Sequence, residues 1–183
     1  MKFFFILSAI CLFSNLVMSQ PVPANSKTII YLVRHAEKEI GKDPVLTTAG
    51  KQRAGDLLQT LRDKHIARIY VSQYLRTQMT ADSLRIQLGI DTIHYTADTS
   101  GENLFKKITL HSDWGKTILV IGHSNTLLRV IGHLGVVNND PMDIPDYEFD
   151  NLYLVKYKKD KPLLTKTKYG TLSKAAATAQ PMH

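Results

Sequence analysis

Two apolar runs of strand length, each leading into a histidine, constrain this chain more than any other feature. Thr28-Ile29-Ile30-Tyr31-Leu32-Val33 is followed by Arg34-His35, and Thr117-Ile118-Leu119-Val120-Ile121 is followed by Gly122-His123. Unbroken apolar runs this short read as buried strands. Segments with helical periodicity alternate with them. The pattern predicts strands at 28–34, 66–72, 91–95 and 116–122. It predicts a helix opening at Leu46-Thr47-Thr48-Ala49-Gly50 and running to about residue 62, with Ala54, Leu57, Leu58 and Leu61 on one face. Further helices are predicted at 75–87, ended by Gly89, at 103–111, and at 126–134, stopped by Gly135. A closing strand pair at 151–158 and 163–169 is joined near Asp160-Lys161-Pro162. Such alternation implies an α/β three-layer sandwich, with a mainly parallel central sheet and helices on both faces. No internal repeat or second domain is visible.

The amino terminus has a different character. Lys2 precedes an almost unbroken apolar run over residues 3–13, and Val17-Met18-Ser19 places small or short residues before Gln20. This reads as a secretory signal peptide over 1–19, cleaved near Ser19/Gln20, since a membrane span needs ~20 predominantly apolar residues. Cys11 lies inside the apolar run and lacks the small-residue box of a lipid anchor. The expectation is a secreted or periplasmic protein with no stable membrane anchor. Residues 20–27, with Pro21 and Pro23, read as a linker, 28–170 as the single domain, and 171–183 as a flexible tail. Cys11 is the only cysteine among 183 residues, so the mature chain has no disulfide chemistry. Removing 1–19 takes away one Lys and no acid, so the net charge falls from +7 to +6. A basic chain suits an anionic substrate or surface. Lys156, Lys158, Lys159, Lys161, Lys166, Lys168 and Lys174 carry much of the excess and read as a solvated edge. Without interleaved aromatics they do not suggest nucleic acid.

Three motifs fall at the ends of predicted strands: Arg34-His35, Ser72-Gln73-Tyr74-Leu75-Arg76-Thr77, and Gly122-His123-Ser124-Asn125. Open α/β sheets bind ligands at the carboxyl ends of their strands, so all three converge on one rim. An Arg presents a fixed fork of donors suited to phosphate oxygens, and a neutral imidazole can attack phosphorus. Gly122 permits close backbone approach, and Ser124 or Asn125 can cap the following helix, whose amino terminus attracts anions. Arg76 sits just inside a strand-to-helix turn, from which it can reach back to the rim.

The chain resembles the histidine phosphatase superfamily, also called phosphoglycerate mutase-like. The matching pieces are Leu32-Val33-Arg34-His35-Ala36-Glu37, Leu46-Thr47-x-x-Gly50, Ser72-x-x-x-Arg76-Thr77-x-x-Thr80-Ala81 and Val120-x-Gly122-His123-Ser124. They occur in the family's order on the expected elements. The resemblance implies that His35 is the nucleophile that takes the phosphoryl group. Arg34, Arg76 and His123 would bind its equatorial oxygens. Two guanidiniums and an imidazolium could then neutralise the transferring group without a metal. Glu102, in Ser100-Gly101-Glu102-Asn103, is the matching carboxylate for protonating a leaving group, with Asp98 and Asp113 as alternatives. Thr99-x-x-Glu102 is equally a capping-box pattern for the next helix, and a first-turn Glu has its charge stabilised by the helix dipole.

Lys38 either adds positive charge at the site as a substrate-binding residue or is a solvated loop charge. Glu37 can fix an Arg side chain by ion pairing. His65, His94, His111, His133 and His183 show no ligand spacing, so no metal and no cofactor are expected. The reading is an extracytoplasmic, metal-independent phosphatase of phosphate monoesters, acting through phosphohistidine at His35. Its partner would be a small phosphorylated substrate or a phosphorylated envelope sugar, with no nucleic acid. The alternatives are a phosphohistidine phosphatase acting on proteins and a non-catalytic module of the same fold that binds phosphate or an anionic glycan. The stretch from Arg76 to Glu102 is too short for a large cap domain over the site.

Overall fold

The computed structural model describes residues 27–137, 143–158 and 161–174. The expected signal peptide, most of the expected linker, and residues 175–183 of the expected tail lie outside the described residues. Six strands form one sheet in the order β3-β2-β4-β1-β5-β6. These are β1 (Ile29–Arg34), β2 (Arg68–Ser72), β3 (Thr92–Tyr95), β4 (Thr117–Gly122), β5 (Asn151–Lys158) and β6 (Lys161–Lys168). The first four in sequence are mutually parallel, whereas β5 runs antiparallel to β1 and β6 antiparallel to β5. The sheet is thus mainly parallel, as the alternation predicts.

Side-chain alternation along the strands builds the layers. Ile30, Leu32, Ile118 and Val120 point to one face, where they pack with Leu104 and Ile108 of α3 (Glu102–Leu110) and Leu127 and Ile131 of α4 (Leu127–His133). Tyr31, Val33, Leu119 and Ile121 point to the other face. There they meet Leu57 and Leu61 of α1 (Thr48–Leu61) and Ala81 and Leu84 of α2 (Leu75–Leu88). Both faces of β1 and β4 are therefore buried, which explains why their sequences are apolar without interruption.

Observed element ends fall within two residues of those expected, the opening of α1 included. Leu46 does not open the helix but bridges to Lys38, and Thr47 N–H donates to the Glu37 carbonyl at 3.0 Å. Thr47 is the cap, its hydroxyl accepting from Gly50 N–H at 3.0 Å. Gly50 is needed there for space, because a Cβ would run into the Glu37 carbonyl oxygen. The loop that follows His35 is thereby locked to the start of α1. Gly89 ends α2 in the left-handed conformation at φ 64°, as its position suggested. The beginning of the expected tail is anchored: Ser173 N–H donates to Asp150 at 3.0 Å, and the Ser173 hydroxyl accepts from Phe149 N–H at 2.9 Å.

Candidate active site

The pairing of β1 with β4 aligns Arg34 with Gly122, and His35 N–H donates to the Gly122 carbonyl at 2.9 Å. His35 and His123 therefore leave adjacent strands at the same edge, with ring centroids 5.4 Å apart. On the other side of β4, Val71 aligns with Ile121, so Ser72 lies beside the same edge and α2 starts just beyond it. The Thr80 hydroxyl accepts from Ala36 N–H at 2.9 Å and donates to the Arg76 carbonyl at 2.7 Å, tying α2 to the His35 loop. Arg34, His35, Arg76 and His123 line one cleft of about 290 Å³, with Lys38 and Asp146 at its border. The four residues named from the strand ends are thus brought together. A Cβ at Gly122 would lie 2.9 Å from the Leu127 side chain and 3.2 Å from the Tyr95 hydroxyl, so a side chain at the turn into His123 would crowd both.

His35 Nδ1 lies 2.8 Å from the Ala36 carbonyl. A carbonyl only accepts, so Nδ1 carries the proton and Nε2 keeps its lone pair. Burial is the main cause that pushes the His35 pKa down to about 3, and the charges of Arg34 and Arg76 act in the same direction. The ring is neutral at ordinary pH, as a nucleophile must be.

Each arginine is held by several partners. Arg34 Nη1 donates to the carbonyls of Pro145, Asp146 and Glu148 at 2.9, 3.0 and 3.2 Å. Its guanidinium lies 4.2 Å from the Phe149 ring centroid and 3.6 Å from the Asp146 carboxylate. Arg76 stacks on Tyr74 at 4.3 Å, lies 3.6 Å from Asp43, and donates to His123 Nδ1 at 3.3 Å. Among the described residues, the buried side-chain polar atoms without a hydrogen-bond partner include the Nε of Arg34, the Nε of Arg76 and the Thr126 hydroxyl. All three belong to side chains that line the cleft. Leaving such donors unmatched costs about 1–3 kcal/mol each.

Several expectations need correction. His123 is not an imidazolium in this state: burial, then Arg76 and Arg34, push its pKa down to about 4. Neither Ser124 nor Asn125 caps α4; the cap position is Thr126, with no side-chain cap bond. Glu102 does not reach the cleft. It sits exposed on the first turn of α3 and pairs with Lys106 at 2.7 Å, which lowers its pKa. The Thr99–Glu102 capping box does not form either. Gly101 takes the cap position at φ 76°, and Asp98 accepts from the N–H groups of Gly101 and Asn103. Asp113 is buried at the opposite end of β4, bonded to the Tyr70 hydroxyl at 2.6 Å and to Lys116 at 2.7 Å. The Glu37 expectation, by contrast, holds: it fixes an Arg side chain by ion pairing, with Arg53 of α1 at 2.7 Å. Lys38 is exposed at the cleft border, its Nζ 3.4 Å from the Glu39 carbonyl. Among the described residues no group of three or more His, Cys, Asp or Glu side chains could hold a metal ion.

The sequence did not reveal the outer frame of the site. Tyr74 and Ser72 lay in a quoted motif without an assigned role. Asp43, Asp146 and Phe149 carried no signal at all, because they meet Arg34 and Arg76 only through the fold.

The depressed histidine pKa values make stability depend on pH. As pH falls through 6.5 the unfolded chain protonates both rings, whereas the folded protein keeps them neutral down to about 3 and about 4. The unfolded state binds more protons in that window, so stability is full above it and declines as acid is added. The decline reaches on the order of 1–2 kcal/mol per ring by about pH 5. The double variant His35→Asn, His123→Asn should show a flatter urea-midpoint profile than wild type between about pH 7 and about pH 5. Parallel profiles would contradict the buried neutral pair.

Residues 30–98 match the family model described as Histidine phosphatase superfamily (branch 1). The matched segment includes Arg34, His35 and Arg76 and ends before His123. No curated protein matches the chain by sequence. Among solved structures, the chain is similar to the protein histidine phosphatase SixA complexed with tungstate, at 16% identity over 76% of this chain and 96% of that one, TM-score 0.59. It is also similar to the alpha-ribazole phosphatase from Shigella flexneri (13% identity, 83% of this chain, 99% of that one, TM-score 0.58). A mycobacterial glucosyl-3-phosphoglycerate phosphatase gives 11% identity, 76% of this chain, 97% of that one and a TM-score of 0.57. The chain has the phosphoglycerate mutase-like fold of the histidine phosphatases, and its residues 30–98 carry the sequence pattern of that superfamily.

Proposed function

We propose that this protein is a phosphatase that hydrolyses phosphate monoesters through a covalent phosphohistidine on His35. The observation that carries the proposal is the state of that ring. It is neutral, with Nδ1–H fixed on the Ala36 carbonyl and the Nε2 lone pair free, beside two guanidiniums in one cleft. In the first step Nε2 attacks phosphorus, the bond to the ester oxygen breaks, and the alcohol leaves with a proton. In the second, water displaces the imidazole and phosphate departs. Arg34 and Arg76 offer positive charge to the equatorial oxygens, where charge is spread in the transition state. They supply the neutralisation for which other phosphoryl-transfer sites use a cation, so the reaction is proposed to be metal-independent.

Glu102 is a poor source of the leaving-group proton, since it is ion-paired and faces solvent. This favours substrates whose leaving groups need little protonation, such as aryl esters. It also gives weight to the second reading, phosphohistidine on a protein, whose imidazole is a good leaving group. The substrate class proposed first is a small phosphorylated molecule or a phosphorylated envelope sugar. The absence of a large cap domain between Arg76 and Glu102 leaves room for either.

A chromogenic aryl phosphate assay tests the mechanism. Wild type should release phosphate in the presence of EDTA and be inhibited by vanadate. His35→Ala should lower turnover by on the order of 10³-fold or more, as expected for loss of a nucleophile. Glu102→Gln should leave the ratio of aryl to alkyl ester rates unchanged. Activity lost to EDTA and restored by a divalent ion would overturn the metal-independent mechanism, and full activity in His35→Ala would overturn the nucleophile.

The proposal extends to location. The charged start, apolar run and Val17-Met18-Ser19 support export with cleavage before Gln20. No helix among the described residues is long and apolar enough to cross a membrane. Amino-terminal sequencing of native protein should begin at or near Gln20; an uncleaved chain in the membrane fraction would contradict export.

A further inference from the structure

The hydrogen bonds behind His123 run in one direction, and that direction can be read from either end. Arg76 can only donate, so His123 Nδ1, 3.3 Å from Arg76 Nη2, must be an acceptor. In a neutral ring the proton is then on Nε2, which lies 2.8 Å from the Ser72 hydroxyl oxygen and donates to it. Ser72 Oγ lies 3.0 Å from Thr77 Oγ1. The Thr77 hydroxyl has one proton and faces two carbonyls, of Tyr74 at 2.8 Å and of Ser72 at 3.2 Å, neither of which can donate. Thr77 therefore gives its proton to a carbonyl and accepts from Ser72. The chain reads Arg76 to His123, His123 to Ser72, Ser72 to Thr77, Thr77 to backbone. Ser72 and Thr77 are both fully buried, so water does not compete.

We propose that Ser72 and Thr77 are positioning residues that hold His123 as the Nε2–H tautomer, so that binding of a phosphoryl group is coupled to proton uptake at His123 Nδ1. This rests on the phosphatase reading for its ligand, but the tautomer is a property of the free protein. A lone pair at Nδ1 repels a phosphate oxygen; only a protonated Nδ1 can donate to one. A phosphate monoanion brings the proton itself, passing it from a P–O–H oxygen to Nδ1. A dianion requires one from solvent. Either way Nδ1–H donates to the phosphate, Nε2–H stays on Ser72, and the Nη2 donor of Arg76 is released to the ligand. No bond to phosphorus forms or breaks in this step.

The surroundings suit such a switch. Arg34 and His35 face the ring from the end of β1, and Arg76 and Tyr74 from the start of α2, with the Tyr74 ring edge-on at 5.2 Å. Lys38 and Asp146 line the same cleft. Burial first, and then the two guanidiniums, keep the empty ring neutral. Up to two negative charges arriving with the ligand reverse that balance.

Two measurements test the proposal. The first is nitrogen-15 NMR of the His123 ring in the free protein. Wild type should show a protonated Nε2 and an unprotonated Nδ1. Thr77→Val removes the acceptor for Ser72, freeing that hydroxyl to donate to Nε2 in competition with the Arg76 donor at Nδ1, and should lower the Nε2–H population. Thr77→Ser should restore it. If Thr77→Val does not fold, Ser72→Ala, which removes the acceptor for Nε2–H, should show the same loss. Wild type with the proton on Nδ1, or a signature unchanged in the variants, would overturn the relay.

The second is calorimetry of inorganic phosphate binding at about pH 8, where most of the ligand is dianionic. The comparison uses buffers of different ionisation enthalpy. Wild type should take up about one proton more than His123→Gln on binding. Equal uptake by the two proteins would overturn the coupling. Failure of wild type to bind phosphate at all would contradict the phosphatase reading and with it the coupling, while the NMR result would still decide the relay.

Discussion

The parallel pairing of β1 with β4 is the constraint on which the rest of the site depends. It sets Arg34 opposite Gly122 and closes with the bond from His35 N–H to the Gly122 carbonyl. Two histidines 88 positions apart in sequence thereby emerge side by side. A slip of one residue would turn every side chain of β1 to the opposite face and carry His35 away from His123. The buried alternation of Ile30, Leu32, Tyr31 and Val33 between two helix layers excludes that slip, so the same apolar packing that stabilises the domain also fixes the geometry of the cleft.

Electrostatics then follow from position. Two guanidiniums brought to one edge would repel each other and strain the fold, and the structure offsets this with local acceptors. Arg34 is bound by three carbonyls and a carboxylate, while Arg76 is stacked on Tyr74 and lies near Asp43. Burial, together with their residual charge, keeps both imidazoles unprotonated. Basicity and nucleophilicity are thus separated. The His35 lone pair is available at pH values where a free histidine would be partly protonated. The loop from Pro145 to Phe149 belongs to this arrangement as much as the strand ends do, because it holds Arg34 by both its backbone and an aromatic ring.

The sheet and its core were legible because buried parallel strands leave unbroken apolar runs and amphipathic helices leave a periodic face. The convergence of Arg34, His35, Arg76 and His123 was legible for a related reason. Each follows a strand or opens the helix after one, and parallel strands end on one edge. What stayed hidden depends on side-chain direction or on contacts between distant segments. Glu102 fitted a capping pattern and a catalytic one equally well; the turn geometry at Gly101 and the Lys106 pair place it on neither. The neutral state of His123 in the free protein was not legible, because its main cause is burial, which depends on how the layers pack. Asp43, Asp146 and Phe149 sit in loops whose approach to the cleft has no periodic or motif signature. The partner of His35 Nδ1 is a backbone carbonyl, and a carbonyl has no sequence identity.

The central claim is that His35 Nε2 forms a bond to phosphorus. Brief mixing with a labelled aryl phosphate, followed by an alkaline quench and peptide mapping, tests it most directly. A phosphoramidate survives base and breaks down in acid, unlike phosphoserine. The account predicts acid-labile, base-stable label on the peptide containing His35 and no label in His35→Ala. Label on another residue, or turnover with no covalent label under conditions that slow the second step, would contradict it.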